Sequence, residues 1–204
     1  MALDRDGNVW VWGDNSSCQF ARTEPDYSSA PVKVRLPEKA IQVQCACDAC
    51  IVLLKDGRVY CWGSNAMFAY GNDTKNLIET PMAVPNLPPM KAINCKSFNI
   101  TALTEDGKVW QWGLKAMHNG TRWVESLITP HIVQGLPKIT QVSAAERHVL
   151  ALDESGQVWA WGANPNGEIG MNVGPNCEDP TPVLGMDSIK KLATGQYVSV
   201  AFEE

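Results

Sequence analysis

The sequence predicts an all-β fold, a β-propeller of about four four-stranded blades with a period of about 50 residues. Three observations carry that expectation. A short segment recurs four times, as MALDRDGNVWVWG at 1–13, IVLLKDGRVYCWG at 51–63, TALTEDGKVWQWG at 101–113 and LALDESGQVWAWG at 150–162. Its turn glycines, Gly7, Gly57, Gly107 and Gly156, stand 50, 50 and 49 residues apart. No stretch sustains a helical period for about ten residues, which excludes α-solenoids.

Taken in order, each recurring segment reads as a hairpin. An apolar strand runs to a turn at Asp6-Gly7, Asp56-Gly57, Asp106-Gly107 or Ser155-Gly156, and a strand of alternating pattern returns. In the return strand the aromatics lie two apart: Trp10/Trp12, Tyr60/Trp62, Trp110/Trp112 and Trp159/Trp161. A period of two puts both on one face, so each unit offers an aromatic pair to its neighbour. A third strand is expected around Pro31-x-x-Val34, Pro81-x-x-Val84, Pro130-x-x-Val133 and Pro182-Val183-Leu184, where proline marks an edge strand or a strand start. A fourth follows at 40–43, 91–93, 139–142 and 189–192. The chain thus reads as one domain over 1–204, with units of about 1–50, 51–100, 101–149 and 150–204. It opens and ends within equivalent strands, so either four blades close a small ring or this is part of a larger one, completed by a second chain or by further sequence.

Composition narrows the function. Hydrophobic residues are 45% and charged residues 19%, which excludes a disordered or low-complexity chain. Seventeen Lys and Arg against 22 Asp and Glu give a net charge of -5, with the basic residues scattered, so nucleic acid is not an expected partner. Apolar runs are strand-sized, so no membrane insertion is expected, and MALDRDG carries no charged-then-apolar leader. Seven cysteines, an odd number in a chain of this size, fit a reducing compartment, and the expectation is a soluble, cytoplasmic protein. Four Asn-x-Ser/Thr sequons, at Asn15, Asn72, Asn99 and Asn119, are compatible with secretion but carry little weight in a polar chain.

Neither the Gly-Gly doublet of kelch blades nor the Trp-Asp dipeptide of WD repeats occurs. The fourth unit instead runs Val142-Ser143-Ala144-Ala145-Glu146-Arg147-His148, then Val158-Trp159-Ala160-Trp161-Gly162, then Asn164-Pro165-Asn166-Gly167-Glu168-Ile169-Gly170. This resembles the regulator of chromosome condensation repeat family, and the resemblance extends over essentially the whole chain. It implies a ring of seven blades, which at this period needs about 350 residues. The repeats are degenerate: the family histidine position holds Ala49, Asn99, His148 and Val198, and the glycine-rich corner after Trp-Gly is only partly kept at 67–71 and 117–120.

Chemical motifs are absent: no nucleophile elbow, zinc-protease helix, phosphate loop or dinucleotide fingerprint occurs, and no catalytic residue or cofactor is expected. His148 reads as a structural imidazole, while His118 and His131 lack sequence-local triad partners. Cys45-x-Cys47-x-x-Cys50, with Cys61 beyond, is the one metal-like cluster. In an extended segment Cys45 and Cys47 share a face and Cys50 points to the other, so the reading is small packed residues and no metal site. Ultraviolet photoreception, known in a plant protein of similar fold, is remote because its tryptophans adjoin the family histidine motif. Seven of the eight tryptophans belong to the hairpins; Trp123, beside Arg122 in a loop, has the composition of a binding hot spot.

The expected function is a non-catalytic protein-interaction scaffold, with open blade edges or with loops presenting Phe20, Arg22, Phe68, Tyr70, Arg122 and Trp123 to a protein partner or larger complex. A homo-oligomer that closes the ring is one form of that assembly. Two alternatives follow from the resemblance. One is guanine-nucleotide exchange on a Ran-type small GTPase by a wedging element, for which the even periods leave no insertion. The other is a secreted propeller-type binder or inhibitor.

Overall fold

The computed structural model describes residues 1–71, 76–119 and 121–203, and among these the regular structure is strand alone. No helix is long and apolar enough to cross a membrane. The first sheet holds β1 (Ala2–Leu3), β2 (Val9–Asp14) and β3 (Tyr27–Lys33). The second is β4 (Ala40–Ala46), β5 (Ala49–Leu54), β6 (Val59–Ser64) and β7 (Leu77–Ala83). The third is β8 (Met90–Lys96), β9 (Asn99–Thr104), β10 (Val109–His118) and β11 (Trp123–Ile132). The fourth is β12 (Ile139–Ala144), β13 (His148–Asp153), β14 (Val158–Ala163) and β15 (Asn176–Pro182), and the fifth pairs β16 (Lys191–Thr194) with β17 (Ser199–Phe202). Every sheet is an antiparallel meander in chain order; the three four-stranded ones are the expected propeller blades, and the first and fifth have three and two strands. The later sheets begin at 40, 90, 139 and 191, and positions 51, 101 and 150, where the sequence units start, lie within the second strands β5, β9 and β13.

Two glycine series set the blade ends. In the second sheet the Gly57 carbonyl accepts from Met90 N at 2.7 Å, and a Cβ on Gly57, at φ 86°, would meet Pro89 and Met90 of the next inner strand. The turn therefore docks directly on the following blade. At the other end Ser64 N donates to Asp48 O at 2.9 Å, and a Cβ on Gly63, at φ 96°, would collide with that same carbonyl oxygen. Glycine after tryptophan is what lets the third strand close over the first turn.

The second aromatic of each pair falls where the third strand slips register against the outer strand. Such a bulge frees the side chain to turn toward the preceding blade. Trp62 and Trp112 are fully buried and donate their indole N–H to Gln19 O (2.8 Å) and Ala69 O (3.1 Å) of the preceding blade's corner. Trp12, in the first sheet, is 45% exposed. Side-chain amides make a second set of ties: Gln42 brackets Ile93 through its C=O and N–H, Gln141 brackets Leu192 in the same way, and Asn94 Oδ1 accepts from Ala144 N at 2.7 Å. Successive sheets pack in chain order, and the ring is not closed.

The cysteine segment folds differently from its sequence expectation. It is a hairpin rather than one extended strand: Cys47 occupies the turn at φ 47°, and Cys45 pairs across with Cys50, which puts those two on the same face. Cys50, Cys61 and Cys95 are buried, and burial pushes the Cys50 and Cys95 thiols up to about 12 and Cys61 higher still. Among the described residues no group of three or more His, Cys, Asp or Glu could hold a metal ion.

Candidate protein-interaction face

One end of the blades gathers the first-to-second-strand turns and the corner loops after each Trp-Gly. In three blades an asparagine organises the corner. Asn15 donates to Arg22 O and Pro25 O and accepts from Phe20 N; Asn164 donates to Met171 O and Gly174 O and accepts from Ile169 N. Asn65 accepts from Tyr70 N at 2.8 Å. In the first and fourth blades one buried amide thus ties the loop at three points.

The third blade breaks this pattern. Lys115 stands where the others have asparagine, and the chain continues as strand: β10 and β11 each run ten residues, paired from Trp110↔Ile132 to His118↔Trp123. The outcome is a β-ribbon, 114–118 paired with 123–127, in place of a corner. The even periods leave no insertion here, and the ribbon is built instead by re-pairing residues that every unit has. It also changes the interior. Trp161 of the fourth blade has no corner carbonyl to reach and donates instead to Gln111 Oε1 at 3.0 Å. Gln111 donates to Asn99 Oδ1 at 2.9 Å, and Asn99, at a family histidine position, donates to Ala145 O at 2.9 Å.

The ribbon tip leans on the fourth blade. His118 N donates to Asn176 Oδ1 at 2.7 Å, and the Asn176 amide donates back to His118 O. The Arg147 guanidinium lies 4.2 Å from the Trp123 ring, and His118 meets that ring edge-on at 5.1 Å. Arg147 also pairs with Glu146 at 2.8 Å, whose carboxylate accepts from Gln196 of the fifth sheet at 3.1 Å. An aromatic–cation belt therefore crosses three blades on the loop face. Beneath it, a cleft of about 300 Å³ opens between the third and fourth blades, lined by Lys115, His131, Arg147 and Glu178 among others.

Of the residues expected to face a partner, Arg22 and Arg122 are exposed, and Trp123 and Phe68 are partly buried. Phe20 (2% exposed) and Tyr70 (9%) lie in the core and are not presented, because the asparagine-held corner folds them beneath itself. Sequence reasoning missed Arg147, His118, Val124 and Leu127. The signal for the ribbon was the Lys115 departure from the Trp-Gly-x-Asn pattern. Of the sequons, Asn15 and Asn99 are buried with their amides engaged, Asn119 is exposed, and Asn72–Thr74 and Gly120 lie outside the described residues.

His148 is buried beside Ser199, Nε2 to Oγ 3.1 Å. The Ser199 hydroxyl donates to Glu168 O at 2.6 Å, so it accepts from an Nε2–H imidazole. That proton placement is the reverse of what a serine nucleophile needs from its base. Burial lowers the His148 pKa, the Glu168 charge opposing it only in part.

Comparison with known proteins follows this architecture. A regulator of chromosome condensation (RCC1) repeat model matches residues 6–53, and a second model of the same repeat matches 48–73 and 139–168. No curated protein sequence matches the chain. Among solved structures, human WBSCR16 superposes with a TM-score of 0.77 at 22% identity, covering 97% of this chain and 53% of that one. Prp20p from Saccharomyces cerevisiae, described with its binding to Gsp1p and histones, gives 0.75 at 24% identity over 96% of this chain and 51% of its own. The yeast RCC1 (Prp20) bound to Kap60 gives 0.76 at 24% identity, covering 96% and 50%. The chain spans about half the length of these structures. With its Trp-Gly closures, asparagine corners and meander blades, the chain is an RCC1-like repeat protein that folds as an open β-propeller.

Proposed function

We propose that this chain is a non-catalytic protein-interaction module whose contact element is the ribbon of the third blade together with the Trp123–Arg147 belt. The observation that carries this is the ribbon itself. It extends from the loop face with Val124 at 47% and Leu127 at 40% exposure beside Arg122, while its tip is pinned to the fourth blade through Asn176 and Arg147. Aromatic and arginine groups on a rigid support, ringed by polar residues, are the composition of an interface centre. Cytoplasmic residence belongs to the same proposal.

The test is a comparison of variants. Val124→Glu with Leu127→Glu should abolish capture of bound proteins from a cytoplasmic extract, leave thermal unfolding nearly unchanged and spare the circular dichroism spectrum. Glu105→Lys, on the opposite blade end, should change neither. Capture that survives the ribbon variant and disappears with the Glu105 variant places the contact elsewhere.

Nucleotide exchange on a Ran-type GTPase is a second reading. It draws support from the projecting ribbon and from the fold shared with Prp20p, and it requires that the chain accelerate nucleotide release from such a GTPase in a ribbon-dependent way. Absence of acceleration leaves the scaffold reading. Self-association along open edges, the homo-oligomer form, would show as solution mass rising with concentration.

A further inference from the structure

We infer that Cys45 and Cys50 are a modification site, a thiol pair that closes into a disulfide across the β4–β5 hairpin on reaction with a hydroperoxide. The inference rests on register. Ala46↔Ala49 brackets the two-residue turn Cys47–Asp48, and the equivalent positions elsewhere are hydrogen-bonded, as Ala145 N to His148 O and Gly195 N to Val198 O, both at 2.8 Å. Cys45↔Cys50 is the next pair, and antiparallel strands alternate, so it occupies a non-hydrogen-bonded position. Such pairs bring Cα atoms to about 4.5 Å, inside the roughly 4.4–6.8 Å range of disulfides. Both side chains share one face of the sheet.

The two thiols differ in a way that orders the chemistry. Cys45 is exposed, whereas Cys50 is buried with its Sγ 3.7 Å from Gln19 O. Burial keeps Cys50 protonated at neutral pH, so the first nucleophile is Cys45. Its thiolate attacks one peroxide oxygen; the O–O bond breaks, the leaving oxygen takes a proton as water, and Cys45 becomes a sulfenic acid. The Cys50 sulfur then attacks Cys45 Sγ. The S–S bond forms, the S–O bond breaks, and the hydroxyl departs as water with the Cys50 proton. Two thiols are oxidised by two electrons and one hydrogen peroxide is reduced to two waters. Cys47, on the turn, has no cross-strand thiol, and in the next blade Cys95 sits at the Cys45 position opposite Ile100. The cross-link would lie directly under a turn of the loop face.

The experiment treats the intact, folded chain with hydrogen peroxide, alkylates it and maps the peptide Ala40–Lys55, which carries Cys45, Cys47 and Cys50. The expected product is that peptide short of two hydrogens, with Cys47 alone alkylated, restored to three free thiols by a reductant. Cys47→Ser should form the bond as before. Cys45→Ser, a change at an exposed site that leaves the core intact, should abolish it. A Cys45 sulfinic acid with Cys50 still alkylatable, a disulfide that includes Cys47, or a disulfide-linked dimer would each overturn the inference, as would a chain that keeps all three thiols.

Discussion

Gln111 shows how one side chain can stand in for a missing loop. In the second and third blades the inward tryptophan donates to a backbone carbonyl of the preceding corner, and where that corner has become a ribbon a glutamine supplies the acceptor. Gln111→Leu would strand the Trp161 indole N–H and the Asn99 carbonyl oxygen in the core. Each buried unsatisfied group costs about 1–3 kcal/mol, so denaturant unfolding should shift to markedly lower midpoints, whereas Cys61→Ala, at the same position one blade earlier, lacks this penalty. His148 makes a prediction in pH. Its folded pKa is lowered by burial, so the stability its neutral form contributes is complete above the unfolded value of about 6.5 and is lost as pH falls through the folded value. His148→Asn should flatten that part of the stability–pH curve; an unchanged curve would show that the imidazole is not the responsible group. Trp110 marks the opposite case: Trp10 and Trp159 donate to Asp4 and Asp153, while the third repeat has Thr104 there, and the Trp110 indole N–H has no partner among the described residues.

At the scale of elements, the corner is decided by one residue type. Asn164→Ala should loosen residues 164–176 and speed their amide hydrogen exchange, because three loop hydrogen bonds lose their hub. Lys115→Ala should leave the ribbon paired, since strand pairing there uses backbone groups; faster exchange across 114–127 would refute that. The hairpins, Trp-Gly closures and outer-strand prolines were legible in the sequence because turn glycines and a period of two are local signals. The ribbon was not, because the unit length is unchanged and Lys115 in place of the corner asparagine is a single-residue signal among many divergent loop positions. The cysteine hairpin was hidden too: Cys47–Asp48 carries no glycine, yet the chain turns there with a non-glycine residue at positive φ. Phe20 and Tyr70 were misplaced for a related reason. A loop residue is normally exposed, but an asparagine hub makes the corner a small core of its own.

Across the whole molecule, the same inter-blade ties recur from sheet to sheet, so stability is carried by neighbour contacts, as in repeat proteins generally. The fourfold repeat made the propeller readable, and the even spacing concealed which blade was different. That blade is the one whose ribbon bridges to its neighbour through Trp123, Arg147 and Asn176. The most direct test of its role is photo-cross-linking in a cytoplasmic extract, with a photoreactive residue placed at Val124 in one version and at Glu105 in another. The account predicts discrete protein adducts from position 124, competed by unlabelled chain, and none from position 105. Adducts confined to position 105 would contradict it.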